Sequence, residues 1–221
     1  MASTRPLRSS RRRSRTSAIL TALAVVVLTA CGTGQRPSFD ADEPLFEPTG
    51  DVAIDAVLDR LDAVRLGQFT ADYTILTRLG GLESTASVVQ ADNSRRSVTV
   101  NDVRFINGTG NAATCDLTTA ECEAVINDAR ISDVQLTHDF YGSSMARRLR
   151  VDAGRRIGDA LGYTEIIAGQ PATCADVPVS GGTKVYCALA SGTLARYDGA
   201  DLLIEMTDYS DVPDESQFAS G

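Results

Sequence analysis

The sequence predicts an α+β domain in which antiparallel β-strands pack against helices. Three observations support this class. Apolar residues recur at steps of three and four in Asp51–Leu66, as in a helix with one buried face. Apolar and polar residues alternate in Phe69–Leu79, as in a half-buried strand. Short strand-like runs separated by glycine-containing turns continue from Thr164 to Tyr209, after a second helix-like segment.

The first 31 residues predict export and a lipid anchor. Six arginines and no acidic residue precede the apolar run Ala18–Leu28, and Leu28-Thr29-Ala30-Cys31 matches the bacterial lipobox. We therefore expect residues 1–30 to be removed as a lipoprotein signal peptide and Cys31 to carry the lipid. An uncleaved signal anchor is the alternative, but a membrane-spanning helix needs roughly 20 apolar residues, more than this run offers. The expected location is the extracytoplasmic face of the cell membrane.

The charge of the chain argues against nucleic acid as a partner. The whole chain has 21 basic and 29 acidic residues. The leader contains six of the basic ones, so the mature chain has 15 basic and 29 acidic residues and a net charge of −14. Phosphate binding needs concentrated positive charge, which this balance does not supply. Only Lys184 is a lysine, and such a preference for arginine suggests a GC-rich, actinobacterial source.

The mature chain divides into a tether, one domain and a tail. Residues 31–50 contain three prolines and no periodicity, which indicates a flexible tether behind the lipidated cysteine. Residues 51–209 are long enough for a single domain with its own core. We expect residues 210–221 to be loose, as chain ends commonly are.

Periodicity and turn residues predict the order of the elements. The N-terminal half is predicted to contain the helix Asp51–Leu66, the strands Phe69–Leu79, Ser84–Gln90 and Ser97–Ile106, the polar loop Asn107–Glu123 and the helix Glu123–Arg130. The buried parity changes near Asn101-Asp102, which predicts a β-bulge there. The C-terminal half is predicted to contain the helix Ser144–Leu161, capped by Ser143, and the strands Thr164–Val179, Thr183–Leu189, Leu194–Tyr197 and Leu202–Tyr209.

Four cysteines remain after Cys31, and in an exported chain they predict two disulfides with three possible pairings. A two-residue turn at Ser180-Gly181 would place Val179 opposite Gly182 and Cys174 opposite Cys187. Opposed residues at a non-hydrogen-bonded site lie within disulfide reach. We therefore expect the bridges Cys174–Cys187 and Cys115–Cys122.

The sequence shows no catalytic or metal-binding signature. The single histidine, His138, lies close to Ser143 and Ser144 in sequence, but neighbours in sequence do not make a catalytic triad. A zinc site needs three or four convergent ligands, and one histidine with paired cysteines does not supply them. We predict a protein that is not an enzyme and that needs no cofactor.

The predicted helix Ser144–Leu161 carries an unusual concentration of positive charge. Arg147, Arg148 and Arg155 fall on the side opposite its apolar residues. On an acidic protein this face is a candidate site for anionic headgroups or for an acidic partner. The alternative is a solvated face whose arginines pair with acids of the same domain.

The lipobox, the strand Phe69–Leu79 with its glycine turn and the strands from Thr164 to Tyr209 resemble the lipid-carrying LppX/LprG lipoproteins and the carriers LolA and LolB. This resemblance covers about Asp51–Tyr209 and implies a curved, unclosed half-barrel covered by helices. It also implies a cavity for an apolar ligand between sheet and helices. The residues expected to line it are Phe69, Ala71, Tyr73, Ile75, Leu79, Leu202, Ile204 and Met206.

Two functions follow from these expectations. The first is a membrane-anchored envelope lipoprotein that binds or carries a lipid or another apolar ligand. The second is a tethered adaptor that binds another envelope protein through the arginine-bearing helix or an open sheet edge.

Overall fold

The computed structural model describes residues 47–63, 67–91, 95–108, 111–127, 129–130 and 136–218. The predicted signal peptide, Cys31 and most of the tether lie outside the described residues, as do the end of the first predicted helix and the last three residues. The described residues all belong to one compact unit. None of the helices in this part of the chain is long and apolar enough to cross a membrane.

Eleven antiparallel strands form one unclosed sheet in the described part of the chain, which confirms the predicted class of sheet. They are β1 (Phe69–Thr77), β2 (Leu82–Gln90), β3 (Arg96–Val100), β4 (Val103–Gly108), β5 (Asn111–Asp116), β6 (Glu121–Glu123), β7 (Leu161–Ile167), β8 (Gln170–Val179), β9 (Gly182–Leu189), β10 (Leu194–Asp198) and β11 (Leu202–Ser210). The order across the sheet is β6-β5-β4-β3-β2-β1-β11-β10-β9-β8-β7. Register shifts between β1 and β11 and between β9 and β10 bend the sheet, which fits a curved half-barrel.

Among the described residues, two α-helices pack against this sheet, α1 (Val52–Ala63) and α2 (Ser143–Ala153). The buried positions of α1 are Ile54, Val57, Leu58 and Leu61, which confirms the predicted stripe over the described residues. In β1 buried residues alternate with partly or fully exposed ones, as predicted, but the strand ends at Thr77 and not at Leu79. The core therefore lies between the helices and the sheet face that they cover.

The structure corrects three expectations in the N-terminal half. The predicted bulge at Asn101-Asp102 is a two-residue hairpin turn between β3 and β4, and Asn101 has a φ of 49°. The predicted polar loop 107–123 forms the paired strands β4, β5 and β6. The predicted α-helix 123–130 does not form over the described residues: Glu123 ends β6, a bend follows, and residues 129–130 belong to a short 3-10 turn.

Three expectations in the C-terminal half are also wrong. The helix α2 ends at Ala153 and not at Leu161, because Gly154 takes its C-cap and residue 161 begins a strand. The single predicted strand 164–179 is the hairpin β7–β8, which turns at Ala168-Gly169 with both φ angles positive. The predicted cap is not formed, because the N-cap position is Gly142 and no described side chain makes a capping hydrogen bond to the helix. Ser143 Oγ instead donates a hydrogen bond to Asp139 Oδ2 at 3.0 Å.

Both predicted disulfides are present. Cys174 lies opposite Cys187 and Val179 opposite Gly182, which is the predicted register of the β8–β9 hairpin. Cys115 lies opposite Cys122 across β5 and β6, and the Cα atoms are 4.0 Å apart in each pair. The sequence predicts that Cys115–Cys122 closes a loop, whereas this bridge joins the paired strands β5 and β6.

Residues 211–218 make specific contacts with the sheet. Thr70 Oγ1 donates to the carbonyl of Val212 at 2.9 Å and accepts from the N–H of Asp214 at 2.9 Å. A 3-10 helix, Glu215–Phe218, follows. Arg95 pairs with Glu215 and lies 4.7 Å from the centre of the Phe218 ring. This part of the expected loose tail is thus held against β1 and the start of β3.

Candidate functional site

The face covered by the helices is filled with protein side chains. Of the eight residues expected to line a ligand cavity, seven belong to the core, and each is at most 2% exposed: Phe69, Ala71, Tyr73, Ile75, Leu202, Ile204 and Met206. The eighth, Leu79, follows the end of β1 and is 80% exposed in the turn. A side chain this well covered has protein neighbours on all sides. The seven residues therefore pack together in the core.

Phe140 and Tyr141, just before α2, fill much of this space. The Phe140 ring packs edge-on against Tyr73 at 5.2 Å, and Tyr141 packs edge-on against Phe69 at 5.9 Å between ring centres. The Tyr73 hydroxyl donates to the carbonyl of Leu194 at 2.9 Å. Burial, with Tyr141 and Tyr209 nearby, raises the pKa of Tyr73, so its hydroxyl stays neutral and keeps this bond. Sequence reasoning did not identify Phe140 and Tyr141, because no periodicity marks the segment before α2.

A buried polar cluster joins α2 to the sheet. Lys184 Nζ lies 2.7 and 2.9 Å from the two carboxylate oxygens of Asp152, which is 4% exposed. The Tyr186 hydroxyl donates to the same carboxylate. Burial and this hydrogen bond raise the pKa of Tyr186. The cluster therefore fixes the position of α2 on β9, and each of its three polar side chains has a partner.

The candidate arginine face of α2 is largely matched by acids of the same domain. Arg147 pairs with Asp139 at 3.0 Å, and Arg148 pairs with Asp201 while lying 4.6 Å from the centre of the Tyr197 ring. Arg155 follows the end of α2 and is exposed. This arrangement leaves less positive charge for an anionic membrane or partner than the sequence indicated.

A cleft of about 650 Å³ is lined by residues at the start of α1, by residues 156–160 and by strands β7 and β8. Its apolar lining comes from Val52, Ala53, Ala56 and Ala160, and its charged residues are Asp51, Arg156 and Asp159. Asp51 Oδ1 accepts the N–H groups of Ala53 and Ile54 at 3.1 and 3.3 Å, as an N-cap does. Its other oxygen accepts the N–H of Ala160 at 3.0 Å.

The ionised form of Asp51 should stabilise the fold. Burial opposes its ionisation, but the N–H groups of Ala160, Ile54 and Ala53 and the nearby Arg156 outweigh it and lower the pKa of the carboxyl. A lowered folded-state pKa gives stability that is present above the ordinary value of 3.8 and is lost as the pH falls.

We therefore expect Asp51→Asn to unfold more easily than the wild type at pH 7, by about 1 kcal/mol. The difference should shrink as the pH falls below about 4. Urea unfolding across this range measures it, with Asp59→Asn on the exposed side of α1 as the matched control. A difference that stays constant down to pH 2 would contradict this role of Asp51.

The two ends of the sheet differ in how they are protected. The strand at one end, β6, has three residues, carries two glutamates and is tied to β5 by a disulfide. The strand at the other end, β7, has seven residues without lysine, arginine or proline. Its apolar residues Leu161 and Ile166 are 65% and 66% exposed. Natural proteins blunt exposed edges by shortness, charge or proline, so β6 is well protected, whereas the one charged residue of β7 is Glu165, which pairs with Arg196.

The hairpin geometry shows which backbone groups of β7 face outward. Ile167 lies opposite Gln170 across the two-residue turn, which makes them a hydrogen-bonded pair. Since such pairs alternate, Leu161, Tyr163 and Glu165 bond to β8, and the N–H and C=O groups of Gly162, Thr164 and Ile166 point away from the sheet. Pro171, which has no N–H, lies opposite Ile166 at a non-hydrogen-bonded site. The edge thus offers three donors and three acceptors in a row.

One cluster has the composition of a metal site but not its chemistry. Potential ligand atoms of Glu165, Cys174 and Cys187 lie within 4.8 Å of one another. Both cysteines belong to the disulfide, so no thiolate is present there. Glu165 instead pairs with Arg196 at 2.7 Å.

Comparison with known proteins finds similar solved structures only. No protein-family model and no curated protein sequence matches the chain. MucB matches with a TM-score of 0.47 and 15% identity, over 78% of this chain and 64% of that one. The MucA/MucB complex of Pseudomonas aeruginosa matches with a TM-score of 0.48 and 16% identity, over 76% and 61%. A LolA superfamily protein of Nitrosomonas europaea matches with a TM-score of 0.35 and 12% identity, over 75% and 97%.

The chain therefore spans less than two thirds of the length of the MucB chains that it matches.

Proposed function

We propose that this protein is a membrane-anchored, non-enzymatic adaptor of the cell envelope that binds a protein partner by adding the partner's strand to β7. The observation that carries the proposal is the seven-residue edge of β7, which contains no lysine, arginine or proline. Its outward backbone groups are a ready template for an extended peptide, and main-chain hydrogen bonds supply the affinity in such complexes.

The anchor in this proposal is the acylated Cys31 behind a removed leader, followed by the tether. The lipobox and the length of the apolar run support it. Intact-mass measurement on protein from its native host tests it, since a chain that still begins at Met1 and carries no fatty acid would contradict the anchor.

Blocking the β7 edge tests the binding mode. Thr164→Pro removes an outward N–H and leaves the bonds to β8 intact, whereas Thr164→Ala keeps the N–H. Ile166→Lys is a second variant, since it introduces the charge that natural edges use for protection. Bait protein of each variant is incubated with detergent-solubilised envelope, and the captured proteins are compared.

We expect Thr164→Ala to capture the same proteins as the wild type, and Thr164→Pro and Ile166→Lys to lose at least about nine tenths of that capture. Circular dichroism and thermal unfolding confirm that each variant is folded. Equal capture by folded Thr164→Pro and Thr164→Ala would contradict strand addition.

The cleft beside α1 supports a second candidate function, the binding of a small apolar ligand. Its volume of about 650 Å³ lies within the usual range for such sites, and four of its lining residues are aliphatic. Solvent extraction of the purified domain tests this function. Extracts that contain no lipid would leave the adaptor as the better explanation.

A further inference from the structure

We propose that the partner strand carries a lysine or arginine whose side chain enters the cleft between α1 and β7. This inference rests on the proposed function and adds the chemistry of the partner. Gly162 and Thr164 line the cleft, and the same two residues expose their backbone groups at the edge. A strand that pairs there would lie along the open side of the cleft.

The face of β7 that meets α1 determines which side chains of an added strand reach the cleft. A Cβ placed on Gly162 would lie 3.0 Å from the Cβ of Ala53, so this face of β7 is turned toward α1. Side chains of neighbouring strands that share a face lie about 5 Å apart. A partner residue opposite Gly162 or Thr164 would therefore project from the same face of the sheet, one strand further out, beside the start of α1.

The lining of the cleft favours a long side chain with a cationic end. Val52, Ala53 and Ala56 offer an apolar surface for an aliphatic stem, as lysine and arginine stems require. Asp51 is engaged by three backbone N–H groups, and Arg156 donates to the carbonyl of Ala153 at 2.8 Å and lies near Asp51. Asp159 is exposed, and none of the ion pairs in the described part of the chain includes it. A lysine or arginine side chain of the partner would give the Asp159 carboxylate an ion-pair partner.

The charge pattern also argues against a second copy of this chain as the occupant. The β7 segment contains Glu165 but neither lysine nor arginine, so an identical strand would bring no cation to Asp159. Two copies of an acidic chain would also repel each other. The β7 edge thus suits a basic segment of a different protein better than it suits the β7 strand of a second copy of this chain.

Defined peptides test the inference. The probes are nine-residue peptides of alternating threonine and valine that differ only in a central lysine or glutamate, with affinity measured by fluorescence anisotropy. The wild type should bind the lysine peptide about fivefold more tightly or better. Asp159→Lys should reverse the preference, and Asp211→Lys, which changes the net charge equally but lies outside the cleft, should preserve it. Thr164→Pro should lose both peptides.

The outcomes separate the inference from the proposed function. Equal affinities for the two peptides, or an unchanged preference in Asp159→Lys, would contradict the inference that the partner carries a basic side chain here, while leaving strand addition intact. Peptide binding that survives Thr164→Pro, or no binding of either peptide to the wild type, would overturn strand addition itself. A dimer of the wild type in sedimentation that Thr164→Pro abolishes would assign the edge to a second copy and overturn the inference.

Discussion

Replacing Asp152 with alanine is expected to lower the free energy of unfolding by about 3 kcal/mol or more. The wild-type carboxylate binds the Lys184 ammonium through both oxygens and also accepts the Tyr186 hydroxyl. Alanine would leave a largely buried ammonium and a buried phenol without their partner, which costs more than the interaction itself contributes. The Lys184 side chain is 21% exposed, so some rehydration limits the loss.

Urea unfolding of the wild type and three variants measures this effect. Asp152→Asn should lose less unfolding free energy than Asp152→Ala, because the amide oxygen still accepts one hydrogen bond. Adding Lys184→Met to Asp152→Ala should recover much of the stability, since removing both members of a buried pair is often nearly neutral. If Asp152→Ala loses less than about 1 kcal/mol, the cluster does not hold α2 against the sheet.

Replacing Phe140 with alanine is expected to cost about 3–5 kcal/mol of unfolding free energy. Phe140 is 1% exposed and packs edge-on against both Tyr73 and Tyr141. Its removal takes away the buried ring and leaves a cavity that neighbouring strands and helices cannot fully close. The cost should therefore be near the top of what single core substitutions produce.

Leu79→Ala is the matched control for Phe140→Ala, because it also truncates an apolar residue that is 80% exposed in a turn. We expect its effect to stay within about 0.5 kcal/mol of the wild type. Thermal unfolding of the two variants side by side checks both values. A loss of several kcal/mol in Leu79→Ala would mean that this residue has a buried partner.

Local patterns predicted those parts of the fold whose signal lies within one element or one hairpin. Alternation identified β1, and the turn at Ser180-Gly181 fixed the register that joins Cys174 to Cys187. Neither inference needs information from distant parts of the chain, because turn length alone sets which residues face each other in a hairpin.

The end of α2 could not be found in this way. Apolar residues continue at a spacing of four from Met145 to Leu161, yet Ile157 is 72% and Leu161 is 65% exposed. Periodicity shows that a helix is possible but not that a neighbour covers each apolar residue. The pairing of residues 161–167 with β8 overrides the helical spacing there.

The candidate site depended on sheet order, which the sequence does not reveal. Residues 164–167 of β7 are predicted as part of a strand, but only the place of β7 at the end of the sheet leaves one side unpaired. In the same way, the seven residues predicted to line a cavity are apolar and lie on the sheet face that the helices cover. Only the positions of Phe140 and Tyr141 show that the space beside these residues is occupied.

The order of the strands also sets the sequence of events in folding. Every neighbouring pair in the sheet is consecutive along the chain except β1 and β11, whose register joins Thr70 to Ser210. The strands on each side of this seam can form from local hairpins, but the seam itself closes a loop of well over a hundred residues, which slows folding. The sheet therefore becomes continuous only when the last strand, β11, has paired with β1.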